Sequence, residues 1–332
     1  MRSSWRPLVI FLACLGPGPV IGQVSLFDFL YRPDSLLEIA LQCDWEAWMA
    51  VRRTEQEVDG RFFVPDKNGE RLGLKAGISV RGKFRRRVCE FPPIRLEFSK
   101  KELRSKGFLP LDNMKLVTHC LDDSLSQERM AREFLIYRMY QSLSPYAFRA
   151  QFSKVDYLDN DPSKPVLTQY GILLEDDLVL AERMGLEKTD TLNLGPSDFP
   201  EDMADVHALF QYLIGNTDWS LAMSRNMNLL ADKGSGRYIL VPYDFDFAGF
   251  VNASYAIPNP DFKLKSLRQR VYLGGQPPSA TARAKVLAQK PVFIDLIRKS
   301  PFLTATAKAD CIGFLNSGFR EIKKNKIVYP AF

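Results

Sequence analysis

Residues 211 to 250, QYLIGNTDWSLAMSRNMNLLADKGSGRYILVPYDFDFAGF, gather side chains able to hold a hard cation and accept a proton. Asp218 stands in a Gly-Asn-Thr-Asp-Trp turn. Asn226 and Asn228 follow it, and Asp244 and Asp246 close the apolar run Tyr238 to Tyr243. Carboxylate and amide oxygens suit Mg²⁺ or Mn²⁺. Phosphoryl transfer needs mainly positioning and charge neutralisation, so this set meets its minimum. Each acid alone has a structural reading, a turn cap for Asp218 and a surface strand position for Asp246. The ordered series of Asp, Asn and Asp-Phe-Asp on one hairpin is harder to assign to chance.

Phosphate also calls for cations. The stretch Arg81-Gly82-Lys83-Phe84-Arg85-Arg86-Arg87 reads equally as a phosphate-binding turn or a solvated hairpin tip. A nucleotide site needs a further cation on a strand, held by a helix acid. Arg95 and Lys115 are the candidate cations, and Glu133 and Glu128 the candidate partners. Ordinary strand and helix charges explain each of these as well. No Gly-x-Gly-x-x-Gly loop is present, so phosphate cover would fall to the basic turn.

The elements that must position these groups follow from periodicity. Leu37, Ile39, Leu41 and Cys43 share one parity, and strands are expected at 61–64, 77–82, 94–98 and 115–118. The first third is thus expected to be an antiparallel meander. Residues 124–143 read as the main early helix, with Met130, Phe134 and Tyr137 on one stripe and Asp122 or Ser124 as cap. Strands at 148–158 and 166–175 follow. A short helix or linker at 176–185 leads to a helix at 203–215, then to a hairpin of 228–231 and 237–243 across Lys233-Gly234-Ser235-Gly236. Residues 251–285 look irregular, and helices at about 282–298 and 303–323 close the chain.

The 332 residues, 46% hydrophobic and 25% charged, suit a globular protein with a sizeable core. Residues 1–22 read as a secretion signal: Arg2 and Arg6, an apolar Leu8 to Leu15, then Gly-Pro-Gly-Pro. The expected location is therefore exported: periplasmic, extracellular or a secretory lumen. A lipoprotein site at Cys14 is the weaker rival, because Phe11 and Leu12 are bulky. No later stretch is apolar enough to span a bilayer. The formal charge of +6 would fall to +4 without Arg2 and Arg6, which does not argue for nucleic acid. Cys43, Cys89, Cys120 and Cys311 allow two disulfides in three connectivities, or four buried thiols. With only His119 and His207, a His-rich metal site and a Ser-His-Asp hydrolase are both disfavoured.

The order of strands, helix, strands and a mainly helical half resembles the two lobes of a protein-kinase-like fold. The residues from about 75 to 250 resemble the spore-coat-protein-H (CotH) family of atypical kinases and, more distantly, the HipA-like kinases. The likeness is carried by Val80-Arg81-Gly82, Arg95-Leu96-Glu97-Phe98, Lys115 to Tyr140, Tyr170 to Glu175, and Asn216 to Asp246. It departs from the family at Phe91-Pro92-Pro93, where lysines are frequent, and in the longer gap from Asp218 to Asn226.

That resemblance implies an α+β fold: an antiparallel-sheet N-lobe with one main helix over residues 23–180, and a mainly helical C-lobe over 181–332. It also implies Mg²⁺- or Mn²⁺- and ATP-dependent phosphorylation of a protein hydroxyl. Asp218 would be the catalytic acid, and Asn226 and Asp244 the metal ligands with Asp246 assisting. Arg81, Arg95, Lys115 and Glu133 would serve the nucleotide. A pseudokinase or binding module keeping the fold is the alternative. A different metal-dependent phosphate enzyme using the same acids is a third reading.

Overall fold

The computed structural model describes residues 24–65 and 69–330. The expected leader and Cys14 lie outside the described residues. The chain begins with α1 (Leu26–Leu30), β1 (Leu37–Cys43), α2 (Trp45–Ala50), β2 (Val58–Pro65) and β3 (Arg71–Val80). Next come α3 (Arg85–Val88), β4 (Ile94–Phe98), α4 (Lys100–Ser105), β5 (Asn113–Val117) and α5 (Ser126–Leu143). Strands β6 (Ala150–Asp159) and β7 (Leu167–Leu174) complete the first sheet.

This sheet is a closed barrel in the order β1-β2-β3-β4-β5-β7-β6, not an open antiparallel meander. Six of its pairings are antiparallel, as expected. Closure comes from a parallel pairing of β1 with β6, from Leu37 opposite Ser153 to Cys43 opposite Asp159. Both edge strands carry an apolar face, and pairing them leaves neither edge open. Leu41, Phe62, Ile78, Leu96, Leu116, Val155 and Leu173 are fully buried in one apolar cluster, so one inward parity fills the barrel.

Helix α5 packs on β6 and β7. Every residue from Met130 to Tyr137 is buried, so the helix is enclosed on all sides rather than along one stripe. That enclosure includes Arg132 and Glu133, and buried charge demands partners. The expected caps Asp122 and Ser124 do not serve. The N-cap position is Leu125, and Asp123 instead accepts the Leu125 backbone N–H at 3.0 Å.

The second half contains α6 (Asp177–Met184), β8 (Glu187–Thr189), α7 (Met203–Ile214), β9 (Met227–Asp232) and β10 (Arg237–Pro242). The expected hairpin is present and gains β8 as a third strand. The single helix expected at 282–298 is two, α8 (Ala280–Ala288) and α9 (Lys290–Lys299), before α10 (Ala305–Lys323). Pro291 lies in the first turn of α9, where its missing N–H is tolerated but could not continue α8. These helices, the hairpin and α5 share a second apolar core. Among the described residues no helix is long and apolar enough to cross a membrane.

Cys89 and Cys120 form a disulfide, while Cys43 and Cys311 are buried free thiols. The bridge joins the end of α3 to the connection between β5 and α5. It therefore ties the basic turn to the barrel beside the helix that carries Glu133.

Candidate active site

Helix α7 stops at Gly215, whose φ of 68° lies in the left-handed region; a Cβ there would meet the Phe314 ring at 3.0 Å. Asn216 follows, fully buried. Its Nδ2 donates to Gln211 Oε1 at 3.0 Å, and its Oδ1 accepts the Asp218 N–H at 2.9 Å. This fixes the turn that presents Asp218. Asn226 Nδ2 donates both to the Asp218 carbonyl at 2.6 Å and to Asp218 Oδ2 at 2.9 Å. Burial raises the Asp218 carboxyl above the usual carboxylate range, against the pull of Asn226 and Arg225.

The strand pair β9–β10 carries the register from Met227 opposite Pro242 directly into this turn. The Tyr243 N–H donates to the Asn226 carbonyl at 3.0 Å. Asp244 then adopts φ 61°, and Asn226 φ 55°, both left-handed positions that cost a non-glycine residue free energy. The Asp244 N–H donates to Tyr137 Oη at 3.1 Å. Helix α5 thus presents Tyr137, and Glu133 one turn earlier, to the Asp244–Asp246 segment.

The cation at the centre is Arg85. Its Nη2 lies 2.5 Å from Asp244 Oδ1 and 3.7 Å from Glu133 Oε1, and its Nε lies 2.8 Å from Asp246 Oδ2. Arg85, Glu133 and Asp246 are buried, whereas the Asp244 side chain is 40% exposed. Burial pushes the Glu133 carboxyl up to about 8 and Asp246 up to about 6, with Arg85 opposing both shifts. One guanidinium therefore serves three carboxyl groups, of which Glu133 keeps its proton near neutral pH.

These groups face a cleft of about 340 Å³ lined by Arg81, Lys83, Arg85, Asp218, Asp244 and Asp246. The three aspartates singled out in the sequence thus line one cleft. Neither expected partner of Glu133 reaches it. Lys115 bonds to Asp177 and lies 3.7 Å from Asp176, and Arg95 is exposed, hydrogen-bonded to Asn113 at 2.8 Å and 3.4 Å from Glu97. Glu128 pairs instead with Arg132, at 2.8 Å. Lys115 and Arg95 are cross-strand neighbours on β5 and β4, and Lys115 is drawn to the acids at the start of α6 rather than to Glu133. Within the basic stretch 81–87 nothing in the sequence distinguishes Arg85, but helix α3 turns this one side chain inward.

The donor set can be tested for a divalent cation. Among the described residues no group of three acidic, histidine or cysteine side chains is placed to hold a metal ion. Mg²⁺, however, commonly takes one or two protein oxygens and completes its shell with water and phosphate. Arg85 engages Oδ1 of Asp244, and Asn226 spends its N–H groups on Asp218. One oxygen of the half-exposed Asp244 thus fits a sparse oxygen site in the cleft, whereas Asn226 is not part of the cleft lining. Asp246 fits less well, because it is buried behind Arg85.

No known family profile matches the chain, and no curated protein is similar to it. Among solved structures, the chain is similar to the Helicobacter pylori proinflammatory kinase CtkA, with 11% identity and a TM-score of 0.40. The match covers 72% of this chain and 98% of that one. Likeness at that level assigns no role to any residue here.

Proposed function

We propose that the chain is an atypical, kinase-like phosphotransferase of two lobes, the barrel with α5 and the helical half with its hairpin. It moves the terminal phosphoryl group of a nucleoside triphosphate such as ATP to a protein hydroxyl. The observation that carries this reading is the single cleft in which Asp218 and Asp244 face Arg81 and Lys83. A proton acceptor, a cation ligand and phosphate-binding charges are thereby within one cavity.

Asp218 accepts the proton of the acceptor hydroxyl as its oxygen bonds to phosphorus and the bond to the diphosphate breaks. Its raised proton affinity suits that role. Asn226 holds the carboxylate in place through Oδ2. Arg81 and Lys83 bind the phosphate oxygens. Asp244 would hold a Mg²⁺ or Mn²⁺ ion, which when bound neutralises charge on the phosphates. Glu133 and Tyr137 set the position of Arg85 and Asp244.

Labelled ATP with Mg²⁺ or Mn²⁺ tests this. Transfer to the chain itself or to an added protein is expected, falling about 10²–10⁴-fold in Asp218→Asn. Free phosphate without a labelled protein would replace this reading with a hydrolase.

One observation favours a second reading. Arg85 already engages Asp244 and Asp246, as an internal cation would in a pseudokinase that binds without transfer. Nucleotide-dependent stabilisation with no transfer under any divalent ion would select it.

A further inference from the structure

Past Arg81 lies a second cavity of about 440 Å³. Arg81 lines both cavities. The second carries four cations, Arg81, Arg95, Lys115 and Lys188, against two acids, Asp176 and Asp177. Asp177 bonds to Lys115 and, at 2.9 Å, to Lys188. Asp176 is the N-cap of α6, accepting the Leu178 N–H at 3.0 Å. Both acids are thus committed to the protein.

Arg81 is different. Its side chain has no hydrogen bond or ion pair among the described residues, although it is half-buried. It also stands close enough to Lys115 to add to the lowering of that amine that burial begins. Lys115 already has Asp177 as its partner, so the Arg81 guanidinium is the charge of this pair left for an anion from outside the protein. Leu178 is the one apolar side chain in the lining, which leaves no apolar slot for an aromatic base.

We propose that this cavity is a second phosphate subsite, continuous with the first through Arg81, and that the donor is selected along its phosphate chain and not through its base. A donor seated this way runs from Asp244 past Arg81 toward Lys115 and Lys188. Describing the ligand as a donor rests on the phosphotransferase reading; the anion binding itself does not.

Calorimetric titration of the full chain with tripolyphosphate, ATP, GTP and adenosine, each with Mg²⁺, tests the subsite. Tripolyphosphate and both nucleotides are expected to bind within about threefold of one another, with no binding of adenosine. Arg81→Ala should weaken all three by about tenfold or more, and Lys188→Ala by severalfold. If Lys188→Ala disturbs folding, Arg95→Ala at its exposed position serves the same purpose, again with a severalfold loss expected.

ATP binding tenfold or more tighter than GTP and tripolyphosphate, or binding of adenosine alone, would overturn the subsite and leave the phosphotransferase reading standing. Tripolyphosphate binding lost in Arg81→Ala, in a chain that transfers nothing, would uphold the subsite and remove that reading. Failure of every anion to bind would remove both.

Discussion

Nε of Arg85 lies 2.8 Å from Oδ2 of Asp246, and both side chains are buried. A cation from the short helix α3 in the barrel half thereby neutralises the segment that follows the hairpin. Glu133, on α5, is the third member of the group. Holding buried Asp246 and Glu133 and the half-exposed Asp244 around one guanidinium is stable only while that guanidinium is present.

Replacing Arg85 by alanine should therefore destabilise the fold by about 3–5 kcal/mol, the usual loss when one partner of a buried ion pair is removed. Urea denaturation measures it. Adding Asp246→Asn to Arg85→Ala removes one of the stranded charges, so the double variant should be more stable than Arg85→Ala alone. Equal stability of the two would mean that Asp246 is not charged beside Arg85.

Glu133 makes a separate claim about pH. Its folded-state value of about 8 lies above its ordinary value, so the folded chain holds a proton that the unfolded chain has released. Stability from this group is complete below the ordinary value and declines as pH rises toward 8. Asp246, raised to about 6, acts in the same direction over a lower window. Glu133→Gln cannot ionise and escapes its share of the decline. Its stability relative to the parent chain should increase between pH 5 and pH 8, as read by denaturation at both values. A constant difference would show that Glu133 does not hold its proton.

The parts of this site that were legible in the sequence are local. Asp218, Asn226 and Asp244 belong to one contiguous segment, so turn chemistry and strand alternation sufficed to bring them together. Arg85 was not legible, because its direction depends on helix α3 and on Asp244 and Asp246, more than a hundred residues away. The same applies to the cation expected beside Glu133: Lys115 is held by Asp177, 62 residues further on, and Arg85 takes the place beside Glu133. Barrel closure escaped for a related reason. Alternation in β1 shows that one face is apolar, but cannot show that its open edge pairs in parallel with β6.

The Cys89–Cys120 bridge closes the chain between residues 31 apart in sequence and anchors the segment that leaves α3. Cys89→Ser should lower stability by about 3–4 kcal/mol from loop closure in the unfolded chain. Cys120→Ser should match it, and the double variant should be no worse than either single one, since one bond is lost in every case. Clear additivity of the two losses would contradict the bridge. Mass spectrometry of the unreduced chain after alkylation should find Cys89 and Cys120 protected from the reagent.

Asp244 allows backbone strain and chemistry to be separated. Its φ of 61° is costly for any residue with a Cβ, while its N–H is held by the Tyr137 hydroxyl whatever side chain it carries. Asp244→Gly and Asp244→Ala both remove the carboxylate, so both should abolish transfer if Asp244 is the cation ligand. They should differ in stability. Glycine adopts the left-handed conformation freely, and Asp244→Gly should exceed Asp244→Ala by about 1 kcal/mol despite the greater freedom of its unfolded chain. If alanine were the more stable substitution, the left-handed turn at this position would be wrong. The hydrogen bond to Tyr137 and the direction in which Asp244 faces the cleft would then be wrong with it.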